Sequence, residues 1–436
     1  SEKKMKRGLH RLQNLPFFIA ALLIQMGLGG CSYLSIPPHD NIAPRPAQGG
    51  ASDASTYNCA VIKGKILPRQ KNSTATLVIA WRLAPGPESF SEFVQTDAQG
   101  GFALYLPQGR YLLYAVADDN ANGIFEDHEV CGVHGSPESF KITDLREGDF
   151  INDVAISTRS EYRHLLSLPA PLPSDRISSS PARRTYNGQV IKIYSETFSP
   201  KNAQTGYWNP TAFMKVFGAD IYLTEPYNPR KIPVLFIHGT EGTPHNWIYF
   251  YMRLDRSRYQ MWHYYYPSGI RLPLAASLLA DALAQLQHRY RFQKMAIVAH
   301  SVGGLTARSF LIRHAADGQA DCVKALITLA TPWSGFSMAD ASQVLTHKSI
   351  PVWRDLGTQS LFIRQTLSAG LPRHVRHYLL YGKNDALAAD AALDDRAKAG
   401  AVKVLGFNCC HDSILSSRTV FAAFADILNR EFDMTR

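Results

Sequence analysis

Charged side chains are scarce in this chain: 19% of 436 residues, against 45% hydrophobic. That balance excludes a wholly disordered chain and is enough for a sizeable core. The 30 Gly and 25 Pro follow no G-X-Y period, which excludes collagen. No zinc-finger spacing, basic-region helix or RNP-like run occurs, so no nucleic-acid partner is expected. Acids are fewer than bases, 36 against 46. The resulting +10 divides into +4 on residues 1–30 and a mild +6 on the rest, a solvated surface suited to lying near anionic headgroups. The longest apolar stretch, Leu15 to Gly30, falls short of the ~20 residues a spanning helix needs.

What is present begins with an address. Lys3, Lys4, Lys6, Arg7 and Arg11 precede that short apolar stretch. A basic start followed by a short apolar segment predicts an export signal over 1–30. It ends Leu28-Gly29-Gly30-Cys31-Ser32, which resembles the bacterial lipobox. The resemblance implies lipidation of Cys31 and, with Ser32 rather than Asp next, lipid anchoring to the cell envelope at the outer membrane. Each buried methylene of an acyl chain contributes about 0.8 kcal/mol, and more than one chain gives stable anchoring. Pro37, Pro38, Pro44 and Pro46 lie among small and polar residues, so 31–56 reads as a tether.

A single core rarely exceeds ~250–300 residues, so the remaining length predicts two domains. Over 57–158, short apolar runs alternate with Gly, Pro and Asp clusters: Val61–Leu67, Thr76–Trp81, Gly101–Leu106, Arg110–Val116 and Ile151–Ile156. This spacing predicts a small all-β sandwich. Asp97 to Phe102 and Leu106 to Tyr111 resemble carboxypeptidase-regulatory or transthyretin-like modules, which implies a spacer or binding role.

The loop Asp118-Asp119-Asn120-Ala121-Asn122-Gly123 is followed by Ile124 and Glu129. Asp118, Asn120, Asn122 and Glu129, with the Ile124 carbonyl, have the spacing of a calcium loop. The other reading is an Asx-rich turn with no ion. Of six Cys, Cys59 and Cys131 share the sandwich and are expected to pair once exported. Cys322 is expected to be free, and Cys409 with Cys410 either free or an adjacent-residue disulfide.

Residues 159–184 carry Pro169, Pro171, Pro173, Pro181 and three consecutive Ser, a linker pattern. From 185 to 436 apolar runs (Ile232–Ile237, Gln260–Tyr265, Met295–Ala299, Val323–Leu329, Val375–Tyr381, Val402–Leu405) alternate with helical periods such as Ala275 to Tyr290 and Leu305 to Ala316. That predicts an α/β fold, a doubly wound, mostly parallel sheet with helices on both faces. Its ligands bind beyond the C-terminal strand ends.

Three such ends carry chemistry. Ala299-His300-Ser301-Val302-Gly303-Gly304 puts a hydroxyl on a sharp strand-to-helix turn, where only small residues fit on either side. Strand Val375–Tyr381 runs into Gly382-Lys383-Asn384-Asp385, and strand Val402–Leu405 into Asn408-Cys409-Cys410-His411. A Ser hydroxyl needs a base, and the base an orienting carboxylate. Ser301, Asp385 and His411 occur in that order; Asp390, Asp394 and Asp395 compete for the acid. His300 reads as packing, His374 and His377 as structural. At the first strand end, His238-Gly239-Thr240 offers a backbone N–H, so Thr240 and Val302 are the expected oxyanion donors.

With Tyr266-Pro267-Ser268-Gly269 and Thr331-Pro332-Trp333-Ser334-Gly335, these motifs make 185–436 resemble an α/β-hydrolase, in its lipase and GPI inositol-deacylase-like esterase branches. The resemblance implies a serine hydrolase of carboxylic, lipid or acyl, esters that works without a cofactor. A thioesterase, an amidase and a non-enzymatic surface-binding lipoprotein are the competing readings. Residues 333–372 are either an apolar cap over Ser301 or helices packed as core. No oligomeric state follows from the sequence.

Overall fold

The computed structural model describes residues 60–67, 76–83, 90–122, 124–136, 139–159, 162, 172–173, 186–337, 339–340, 350–386 and 394–432. The expected signal and tether, Cys31, Cys59, Gly123, Asp390 and most of the 159–184 linker lie outside them.

β-Branched and aromatic runs between turn residues build the first sheet. Its strands are β1 (Ala60–Leu67), β2 (Thr76–Arg82), β3 (Phe90–Gln95), β4 (Gly101–Leu106), β5 (Gly109–Ala117), β6 (Val130–Val133), β7 (Ile142–Leu145) and β8 (Phe150–Thr158). They bond in the order β3-β2-β5-β6-β8-β1-β4, with β7 beside β5. Val94 at one end of this order and Phe102 at the other share a buried cluster with Ile62, Leu113 and Ile156. The sheet therefore curls around one core, and the layers expected of a sandwich are two halves of one continuous sheet. Strands β3, β6 and β7 carry no apolar run long enough to read from the sequence.

The second sheet comprises β9 (Asp220–Leu223), β10 (Ile232–Ile237), β11 (Tyr259–Tyr265), β12 (Met295–His300), β13 (Val323–Leu329), β14 (Arg376–Gly382) and β15 (Lys403–Phe407). Their order is β9-β11-β10-β12-β13-β14-β15. β9 pairs antiparallel with β11, and the other neighbours run parallel. β9, the short edge strand, is the one that the apolar pattern does not reveal. Around the sheet lie α1 (Pro200–Trp208), α2 (Pro210–Phe217), α3 (Leu272–Tyr290), α4 (Val302–Arg313), α5 (Trp353–Leu356), α6 (Leu361–Ser368) and α7 (Arg418–Phe432). Helix α3 starts earlier than its apolar period because Pro273 is tolerated in a first turn, where no N–H is needed.

Strand alternation divides the side chains between two faces. Leu235, Ile297 and Leu326 pack with Leu279 and Leu286 of α3. Phe236, Val298 and Ile327 pack with Trp247 and with Phe424 and Leu428 of α7. Val61 joins the α3 side, with Tyr105 and Phe150 packed against it. Lys63 on β1 pairs with Asp281 on α3, so α3 is the joint between the sheets. Among the described residues no helix is long and apolar enough to cross a membrane.

Phe424 is fully buried between α7 and the sheet. Phe424→Ala is expected to lower unfolding free energy by about 3–5 kcal/mol, read as a fall in the urea midpoint with an unchanged slope.

Candidate active site

Strand β12 ends at His300 and α4 begins at Val302, leaving one residue for the whole reversal. That residue, Ser301, has φ 54 and ψ −131, a conformation that costs a non-glycine residue about 1–3 kcal/mol. The turn is possible because its neighbours are small. A Cβ on Gly303 would meet the His238 carbonyl oxygen at 2.5 Å, and one on Gly304 would meet Thr331 Oγ1 at 2.0 Å. One on Gly239 would come within 2.7 Å of Ser301 Cβ, so the 238–242 loop lies directly against the serine.

Ser301 Oγ is 2.9 Å from His411 Nε2. His411 Nδ1 is 2.9 Å from Asp385 Oδ2. An ionised carboxylate only accepts, so Nδ1–H donates to Asp385 and the Nε2 lone pair faces the hydroxyl. Asp385 is buried at 1% exposure, while Ser301 keeps 5%. The loops after β14 and β15 are laced together: Lys383 N–H donates to Phe407 O at 2.8 Å and Asn384 N–H to Cys409 O at 3.2 Å. The lacing carries Asp385 to His411. Asp394 instead accepts from Arg396 N–H and pairs with the Arg396 guanidinium, and Asp395 pairs with Lys398.

Two buried histidines hold the backbone here. His300 Nε2–H donates to the His411 carbonyl at 3.0 Å, so this residue, read as packing, also pins the His411 loop to β12. Its position before Ser301 was the available signal; its partner was not legible. Burial, with His411 beside it, pushes its pKa down to about 3. His238 Nδ1–H donates to Gly239 O at 2.9 Å, and Gly242 N–H donates to the same oxygen at 3.1 Å. That carbonyl shares a rigid peptide plane with the Thr240 N–H, so both bonds orient the donor. Tyr266 stacks on the His238 ring at 4.6 Å, and burial pushes the His238 pKa down to about 4. Val302 opens α4, so its N–H has no intrahelical acceptor.

No curated protein sequence matches this chain. Residues 271–393 match a family model described as an alpha/beta hydrolase of unknown function (DUF915). That stretch runs from the start of α3 and includes Ser301 and Asp385. The second sheet and its helices form an α/β-hydrolase fold. Similar solved structures include the mature lipase BlEst2 of Bacillus licheniformis, 20% identical, covering 48% of this chain and 97% of the lipase, TM-score 0.37. Aspergillus fumigatus lipase B is 16% identical over 60% of this chain and 69% of its own, TM-score 0.41. A thermophilic esterase from Thermogutta terrifontis is 15% identical over 46% and 90%, TM-score 0.32.

His374 and His377, read as structural, lie elsewhere: His377 Nε2 meets Thr328 Oγ1 at 2.9 Å, and His374 Nε2 lies 3.3 Å from Ala320 O. The described part of 333–372 packs inward: Trp333, Val352 and Ile363 cluster with Val302 and Leu305 of α4. Cys322 and Cys409 are free buried thiols, pushed by burial up to about 12 and about 11. Cys131 Sγ lies 3.5 Å from Ala115 O; its expected partner Cys59 is outside the described residues. In the 118–129 loop, Glu129 accepts from Asp119 N–H at 3.0 Å and Glu126 N–H at 3.1 Å. Asn120 Oδ1 accepts from Asn122 N–H, and Asn122 Oδ1 from Ile124 N–H. Side-chain oxygens of Asn120, Asn122 and Glu129 thus close the loop's own turns. Among the described residues no three His, Cys, Asp or Glu converge as a metal set.

His263 and His377 are buried like His238 and His300, and burial pushes both down to about 3. All four pKa values lie below the unfolded value of about 6.5, so the stability they contribute is full above it and is lost as pH falls toward 4. The unfolding free energy should therefore drop from pH 7 to pH 5, by at most about 1.4 kcal/mol per pH unit for each histidine, read as lower urea midpoints; a flat profile would contradict the buried neutral state.

Proposed function

We propose that the protein is a membrane-anchored serine hydrolase of carboxylic esters, with acyl or lipid esters as substrates. The observation that carries this reading is the unbroken run of hydrogen bonds from Ser301 through His411 to Asp385, beginning at a strained turn. His411 Nε2 takes the Ser301 proton as Oγ attacks the ester carbonyl. Asp385 holds the imidazole tautomer and stabilises the imidazolium. The N–H groups of Thr240 and Val302 receive the oxyanion, each contributing about 3–4 kcal/mol. His411 then gives its proton to the departing alcohol, and water activated by the same nitrogen hydrolyses the acyl-Ser301 intermediate. The sequence calls on no cofactor. Export and lipidation at Cys31 carry the enzyme to the envelope surface, where its substrates would partition.

Ser301→Ala should abolish p-nitrophenyl ester hydrolysis, with a loss of at least about 10⁴ and a nearly unchanged melting profile. A fluorophosphonate probe should label the wild type at Ser301. Retained turnover in the variant refutes the assignment, and a matched series of ester, thioester and amide separates the esterase from the thioesterase and amidase readings.

Calcium at the 118–129 loop is proposed on its spacing alone. Calorimetry on the full chain, with and without chelator, should register binding at millimolar calcium; no heat ends that proposal.

A further inference from the structure

The loop that follows the proposed oxyanion donor carries a side chain its turn does not require. Glu241 has φ 49, a left-handed conformation that Gly or Asn adopts more readily than Glu. The turn is built by other bonds: Glu241 N–H donates to Ser268 Oγ at 2.9 Å, and Gly242 N–H closes onto Gly239 O. Backbone strain tolerated for a particular side chain directs attention to that side chain. Glu241 Oε1 accepts from the Trp208 indole N–H at 3.1 Å. Among the described residues no Lys, Arg or His pairs with this carboxylate.

Trp208 ends α1 and is 41% exposed, the most accessible tryptophan among the large apolar side chains at the surface. It is braced from behind. Tyr207 meets it edge-on at 5.1 Å, and the Tyr207 hydroxyl accepts from the Trp353 indole N–H at 2.6 Å. Tyr207 itself is buried, at 4% exposure. The result is one open aromatic plane with an unneutralised acceptor at its edge. Glu241 is two positions after Gly239, which lies against Ser301, and Trp208 joins that loop through its bond to Glu241.

We infer that Trp208 and Glu241 form the alcohol-side subsite and that it takes a carbohydrate: the C–H face of a sugar ring stacks on the indole while its hydroxyls donate to the carboxylate. The negative charge disfavours phosphate or carboxylate in the same place. A quaternary ammonium is matched by a cage of several rings, whereas here the second ring is buried. The inference rests on the acyl-Ser301 reading for what happens to the ester, but not for the binding itself.

The test uses the full chain carrying Ser301→Ala, which binds without turnover, and two probes of equal acyl length, 6-O-octanoyl-glucose and methyl octanoate. The sugar ester should bind about tenfold more tightly, the equivalent of one or two good hydrogen bonds. Glu241→Gly removes the carboxylate yet suits the turn, and together with Trp208→Ala it should erase that difference; Glu241→Gln, which keeps an acceptor oxygen, should retain most of it. In the wild-type background the kcat/KM ratio of sugar to methyl ester should fall by the same factor in Glu241→Gly. Equal affinities for the two esters, or a preference that survives both substitutions, overturn the subsite. So does tighter binding of octanoylcholine that is lost in Glu241→Gln, because that marks a cation site. A binding difference that persists although the wild type turns over no ester supports the subsite and overturns the hydrolase reading instead.

Discussion

The arrangement depends on one reversal of direction. Strand β12 becomes helix α4 across Ser301 alone, and the positive φ of that residue holds its hydroxyl above the sheet edge. A turn this tight leaves no room beside it. The three glycines around it, Gly239, Gly303 and Gly304, sit where any Cβ would overlap Ser301, the His238 carbonyl or Thr331. Strain at the serine persists because the strand before it and the helix after it are both buried and cannot shift independently.

Around that turn, neutral histidines do work usually assigned to backbone or amide groups. His300 donates to the carbonyl of His411, and His238 donates to the carbonyl of Gly239. His300 reaches the loop after β15, and His238, whose Nδ1–H bond stays within its own loop, accepts at Nε2 from Tyr266 N–H after β11 at 3.4 Å. A buried imidazole held neutral by desolvation supplies one donor and one acceptor without bringing a charge near Asp385. A loop 111 positions away is thereby tied to the end of β12.

The first sheet is tied to the second through α3 and the segment at 350–356. Asp355 accepts from Arg271 Nε at 2.9 Å and from Leu272 N–H at 2.7 Å, which closes the first turn of α3. Arg354, beside it, pairs with Glu147 from the turn before β8. Burial pushes the carboxyls of Glu147 and Asp355 up, and Arg354 and Arg271 oppose that shift. Such pairs contribute position more dependably than stability. Val352 and Leu356 of the same segment pack with Val302, so the charged face holds the first sheet while the apolar face borders the proposed nucleophile.

The parallel strands were legible because strands buried on both faces are written as unbroken apolar runs: Ile232–Ile237 and Val323–Leu329 occur with the bounds their runs suggested. Ser301, Asp385 and His411 could be named because each follows such a run at its C-terminal end. Short edge and partner strands, β9 and β6 among them, were not legible, since four residues carry no measurable period and form only by pairing with a neighbour already in place. The part played by His300 was hidden for the same kind of reason: a hydrogen bond to a carbonyl 111 positions away leaves no local mark. Local sequence by itself determined which residues could end a strand, turn sharply and carry a hydroxyl, an imidazole or a carboxylate. Only the tertiary structure decided which of them meet, because distance between loops is set by sheet order and by the packing that laces strand ends together.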